Sequence, residues 1–128
     1  MARIADYAIV TRSSFSLGSK GGSMVKGIQI TRPANLHAGS RSVLSYVIRN
    51  VNVGDVFKAR IKINNKVVDN LSYDDTQFAL DRMLQRVVGK DVLKAGESNA
   101  FLFEVQNEVD PGGKVTFSDV VLTFQATV

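Results

Sequence analysis

Apolar and polar residues alternate with a period of two along most of the chain, and turn-forming residues interrupt the alternation. This is the signature of strands with one buried face. The clearest run is Val56–Ile63. Phe57, Ala59, Ile61 and Ile63 fall on one face, and Lys58, Arg60 and Lys62 fall on the other. Asn64-Asn65 follows, and because Asn tolerates the left-handed backbone region, a hairpin is predicted over residues 55–69. Ala100–Asn107 repeats the pattern with Phe101, Phe103 and Val105 inward and Glu104 and Gln106 outward. Asp110-Pro111-Gly112-Gly113 reads as a strong turn. A final long strand is predicted over Val115–Val128, with Val115 and Phe117 in phase. Val120, Val121 and Leu122 are then apolar on both faces, so a bulge is expected near Ser118-Asp119. Upstream, Ile4–Val10, Ser14–Leu17, Val25–Thr31 and Ser42–Asn50 read as strands, with loops at Gly18–Ser23 and Arg32–Arg41.

One segment departs from the period of two. In Thr76–Val88, Leu80, Met83, Leu84, Val87 and Val88 are spaced as on one helix face, with Asp75 or Thr76 placed to cap the start and Gly89 the end. Local pattern alone therefore predicts a short helix at 76–88.

From Phe57 onward the order of features is specific. A strand ends in Ile63-Asn64-Asn65-Lys66-Val67-Val68, and a variable stretch leads to Val92-Leu93-Lys94-Ala95-Gly96-Glu97-Ser98-Asn99. The Phe-rich strand and the terminal strand containing Phe117–Leu122 complete the series. This order resembles the galactose-binding-like jelly-roll domains, including the sugar-binding domains appended to glycoside hydrolases. The resemblance covers roughly residues 57–128, with Asn65 where Gly is usual and Ala95 where Pro is usual. It implies an all-β, jelly-roll β-sandwich, with residues 78–88 as an extended strand, and so favours strand over helix there. The motif residues have structural tasks: Leu93 packs a turn on the core, Gly96 permits positive φ, and Asn99 caps the turn through its side chain.

With 128 residues, 45% apolar and 22% charged, the chain has the size and profile of one globular domain spanning 1–128. It has no Cys, which excludes disulfides, thiolate nucleophiles and Cys-ligated zinc. No window has the length of apolar sequence a membrane span needs, and the N-terminus lacks the continuous apolar stretch of a signal peptide. The expected location as synthesised is the cytoplasm. The net charge of +4 conceals an asymmetry: residues 1–66 carry eleven Lys and Arg against Asp6 and Asp55, and residues 67–128 carry five against ten acids. The bases are scattered singly with little aromatic interleaving, so nucleic acid is disfavoured as a partner. Mutual neutralisation of the two halves within the fold is the favoured explanation.

Candidate chemistry is sparse. His37, the lone histidine, lies in a loop with no partner motif, which argues against a catalytic relay, and no nucleophile motif occurs. The chain is therefore expected not to be an enzyme. Asp69, Asp74 and Asp75 supply oxygen ligands dense enough for a structural calcium, although their spacing matches no ordered calcium loop. Tyr73, Arg32, Arg41 and Asn107 are loop or strand-end groups of the type that bind sugars, the aromatic stacking on a pyranose face and Arg and Asn donating hydrogen bonds. Tyr73 with Asp74 and Asp75 is the preferred locus. Non-catalytic carbohydrate binding is the expected function, on the strength of the resemblance. The alternative is a structural or assembly subunit acting through its own copies as a homo-oligomer, its opposed basic and acidic halves meeting head to tail.

Overall fold

The computed structural model describes residues 3–18, 23–31, 36–37, 39–51, 57–73, 81–106 and 114–127. Nine strands occur in them: β1 (Arg3–Thr11), β2 (Phe15–Leu17), β3 (Val25–Thr31), β4 (Ser42–Val51), β5 (Phe57–Ile63), β6 (Lys66–Tyr73), β7 (Arg82–Val88), β8 (Ser98–Val105) and β9 (Lys114–Thr127). They form two antiparallel sheets that pack as a jelly-roll sandwich. One sheet has the order β1-β9-β4-β7, with β2 pairing a further stretch of β9, and the other has the order β3-β8-β5-β6.

The core sits between the sheets and follows the period-two pattern. Leu44, Tyr46 and Ile48 of β4, Ala59, Ile61 and Ile63 of β5, and Phe101, Phe103 and Val105 of β8 are all buried. The aromatic rings lock the layers together. Phe103 of the second sheet lies 5.1 Å from Phe15 and 5.3 Å from Phe117 of the first, and Tyr46 lies 5.9 Å from Phe117. These separations suit edge-to-face and tilted ring pairs.

The bulge in β9 lies where the phase breaks. Val115 and Phe117 point inward, and beyond the bulge Val120, Leu122, Phe124 and Ala126 do so instead. Ser45 of β4 pairs with Val121 and Val47 with Ser118, three steps on β9 against two on β4. Asp119 absorbs the extra residue at φ 51°, in a backbone region where Asp is among the better tolerated side chains.

β7 is a strand over Arg82–Val88, so the helical spacing there is overruled. As the edge of the first sheet it buries only Val88 fully and half-buries Arg82 and Leu84, while Met83 and Val87 face solvent. Its hydrogen bonds to β4, in register from Ser42↔Val88 to Ile48↔Arg82, outweigh a local pattern that has no second apolar surface to pack on. Residues 76–80 of the predicted helix lie outside the described residues.

The strand registers define two ends of the sandwich. Leu17 pairs with Val115, Val51 with Lys114 and Phe57 with Tyr73 at one end. Arg3 pairs with Thr127, Thr31 with Ser98, Ser42 with Val88 and Ile63 with Lys66 at the other. At this second end Asn64 and Asn65 adopt φ 51° and 68°, the paired left-handed conformation of a two-residue hairpin turn. Gly96, at φ 69°, turns the chain ahead of β8, and Leu93 packs half-buried on the core.

Charge neutralisation across the sequence halves is visible in three ion pairs. Arg49 pairs with Asp81, and Arg60 and Lys62 both pair with Glu104.

Candidate functional site

On the outer face of the first sheet an open groove of about 500 Å³ is lined by Ser14, Val47, Arg49, Asp81, Lys114, Thr116 and Ser118. Its floor follows from strand alternation. Val47 and Arg49 are the outward residues that follow the buried Tyr46 and Ile48 of β4, and Thr116 and Ser118 flank the buried Phe117 of β9. Arg49 pairs with Thr116 across the two strands and Val47 with Ser118. The Arg49 guanidinium donates to both Asp81 carboxylate oxygens, from Nε at 2.8 Å and from Nη2 at 3.1 Å. Such a two-point contact holds both planar groups in a defined orientation. The hydrogen bond from Arg49 is the main reason the Asp81 carboxyl titrates below its ordinary range, with the guanidinium charge adding to it, and the same bond raises Arg49. Beside the pair, the Ser16 and Thr116 hydroxyls are 2.8 Å apart.

The groove thus offers guanidinium and ammonium donors, a carboxylate acceptor, and hydroxyls that can do either. That set matches ligands dense in hydroxyl groups. Its volume is within the usual range for small-molecule sites, about 300–1,000 Å³.

The residues singled out from sequence fall differently. Tyr73 ends β6 at the groove end of the sandwich, opposite Phe57. Asp74, Asp75, Asn107 and Arg32 lie outside the described residues. Arg41 is exposed and precedes β4 at the opposite end, about 25 Å from Arg49 at the usual rise along a strand.

Asp69 is not a surface ligand. It is 4% exposed on the inner face of β6. Its Oδ2 accepts from the Tyr46 hydroxyl at 2.5 Å, and its Oδ1 accepts from Arg86 Nε and Nη2 at 3.0 and 2.7 Å. The side chain thereby bonds β6 of one sheet to β4 and β7 of the other. Both oxygens are engaged in that tie, which is how a buried carboxylate avoids the cost of lost hydration. Among the described residues no three His, Asp or Glu side chains gather as a metal site, and no helix is long and apolar enough to cross a membrane. His37 is half-buried; its backbone N–H donates to Gln125 O at 2.9 Å and its carbonyl accepts from Ser40 Oγ at 2.8 Å.

No motif in the sequence singles out Arg49, Asp81 or Lys114. Arg49 is outward by strand phase, but its meeting with Asp81 depends on β7 lying beside β4, which no local pattern specifies.

The sequence matches no protein-family model, and it matches no curated protein. Solved structures share the fold. The chain superposes on part of dimeric latent PorU from Porphyromonas gingivalis with TM-score 0.75 and 9% identity over 98% of its length. It spans only 13% of that chain. It also superposes on the C-terminal domain of EclA, a sugar-binding protein, with TM-score 0.56 and 13% identity, covering 95% of this chain and 79% of that one. A third match is the CBM36-1 domain of a multidomain xylanase from the hindgut metagenome of Trinervitermes trinervoides. There the TM-score is 0.55 and the identity 11%, covering 98% of this chain and all of that domain. At these identities the likeness establishes the jelly-roll sandwich.

Proposed function

We propose that this chain is a non-catalytic carbohydrate-binding module that holds its ligand in the groove between Arg49, Asp81 and Lys114. The observation that carries the proposal is the two-point Arg49–Asp81 pair set beside the Ser14, Thr116 and Ser118 hydroxyls. Arg49 and Lys114 donate to sugar hydroxyls, Asp81 accepts from them, and the pair keeps these groups oriented before the ligand arrives. Support for the ligand class comes from the sandwich shared with a described sugar-binding protein and with a domain of a xylanase. Tyr73, which ends β6 at this end, belongs to the same proposal, with Asp74, Asp75 and Asn107 retained in it as candidates from sequence. Self-association gains no support from these likenesses.

An open polar groove exchanges hydrogen bonds with water for hydrogen bonds with sugar, so a single site is expected to bind on the order of millimolar, about −4 kcal/mol. Avidity then requires several copies. A glycan array, followed by titration of the best ligand, tests the proposal. Arg49→Ala and Asp81→Ala should each weaken retention about tenfold or more, the equivalent of one oriented charged hydrogen bond, with the melting temperature unchanged. Undiminished binding by both variants would remove the groove from the function, and failure of the wild-type chain to retain any glycan would overturn the sugar-binding proposal itself.

A further inference from the structure

The groove opens onto the rest of the outer face of the first sheet, and that face has an unusual profile. From Thr116 and Ser118 the outward positions of β9 continue through Val121 to Thr123, and the neighbouring outward positions of β4 are Val47, Ser45 and Val43. All of these side chains are short. They form a low lane along β9 and β4, beside which Gln85 of β7 donates to Ser45 Oγ at 3.3 Å.

At the far end of the lane stands Tyr7. It pairs with Thr123 across β1 and β9 and is 64% exposed. An open depression of about 220 Å³ beside it is lined by Ala5, Asp6, Val121 and Thr123. Asp6 is held in place there, its Oδ1 accepting from the Tyr7 backbone N–H at 2.8 Å. An exposed phenol ring over short apolar side chains, with a fixed carboxylate at its edge, offers a stacking face and a hydroxyl acceptor together. Tyr7 and the groove lie on the same face, separated by the seven residues from Thr116 to Thr123. That is about 20 Å at the usual strand rise, slightly shortened by the bulge.

We propose that Tyr7 is a second sugar-contacting position and that the lane joins it to the groove, so that the ligand is an extended oligosaccharide lying along β9. This rests on the proposed sugar-binding function and deepens it: the site would recognise several consecutive units of one chain rather than a terminal sugar. The lane fits such an occupant because its outward positions, from Ser118 through Val121 on β9 and Val47 through Val43 on β4, carry only short side chains. Each contact is weak alone. Joined through one ligand they act at high effective concentration, so affinity should rise steeply once the oligosaccharide is long enough to reach both.

Disaccharides and hexasaccharides of the β-1,4-linked xylose and glucose series serve as probes, titrated against wild type, Tyr7→Ala, Tyr7→Phe and Arg49→Ala. The wild type should bind a hexasaccharide at least about tenfold more tightly than its disaccharide. Tyr7→Ala should erase that gain while leaving disaccharide binding in the groove intact, and Tyr7→Phe should preserve it because the ring remains. The melting temperatures of both Tyr7 variants should equal that of wild type, since the ring is exposed. A length gain that survives Tyr7→Ala overturns this inference and leaves the groove standing, as does the absence of any length gain. Absence of binding to every probe counts against the sugar-binding function as a whole, and this inference falls with it.

Discussion

The two ends of the sandwich use polar side chains in opposite ways. At the hairpin end, Asn99 is completely buried and all four of its hydrogen-bonding positions are used. Its Oδ1 accepts from Asn64 Nδ2 at 2.7 Å and from the Lys94 backbone N–H at 2.8 Å, and its Nδ2 donates to the Lys94 and Glu97 carbonyls at 3.0 and 3.1 Å. Asn64 completes the network. Its Nδ2 also donates to Val92 O at 2.8 Å, and its Oδ1 accepts from the Ala100 backbone N–H at 3.0 Å. At the groove end, Arg49 and Asp81 are exposed on the sheet face, bonded to each other and still able to engage a ligand. Side chains satisfied by the backbone in a buried site make structure, because any replacement leaves partners unpaired. Side chains paired only with one another at the surface contribute little to stability and remain available for binding.

Substitutions ranked by effect sharpen this contrast. Phe103 belongs to neither end, and Phe103→Ala, which leaves a cavity between the sheets, should cost about 3–5 kcal/mol. Chemical denaturation should report the loss, and a cost below about 1 kcal/mol would mean that the ring does not bridge the layers. Asn99→Ala orphans four partners at the hairpin end and should cost about 2–3 kcal/mol by the same measurement. A loss as small as that of an ordinary surface change would erase the distinction between the ends. Gly96→Ala places a Cβ on a backbone held at φ 69° and should cost about 1 kcal/mol.

The groove end should respond least in stability and most in binding. Arg49→Ala should leave the melting temperature unchanged. The pair also predicts a pH profile. Because the Arg49 hydrogen bond holds the folded Asp81 carboxyl below its unfolded value, the pair stays intact at every pH above the ordinary carboxylate range. It separates only as the pH falls through that depressed value. Glycan retention should therefore persist into mild acid and fail in stronger acid. Asp81→Asn should abolish that acid limb, and an unchanged limb would assign the titration to another group.

Most strands were legible because each is a contest settled locally: inward and outward residues alternate, and the chain turns where Asn and Gly accept positive φ. Asn64-Asn65, Gly96 and the phase break before Val120 could be placed from sequence for that reason. The role of Asn99 was legible too, as three of its four hydrogen bonds are to its own neighbours in the Lys94–Glu97 turn. β7 was harder. Its spacing alone favours a helix, the order of motifs around it favours a strand, and pairing with β4 decides between them.

Short-range stereochemistry and burial specify every strand but β7, the buried faces of those strands and the turns of the hairpin end. Which charged groups meet depends on how the two sheets pack. By sequence Asp69 groups with the acidic Asp74 and Asp75, yet the packing of β6 against β7 takes it inward to Tyr46 and Arg86. Arg49 and Asp81 are 32 residues apart, and Tyr7 shares a face with them only because β1 and β4 flank the same strand. Contacts of this kind depend on strand order and register, which arise from the joint packing of two sheets and leave no periodic trace in the chain.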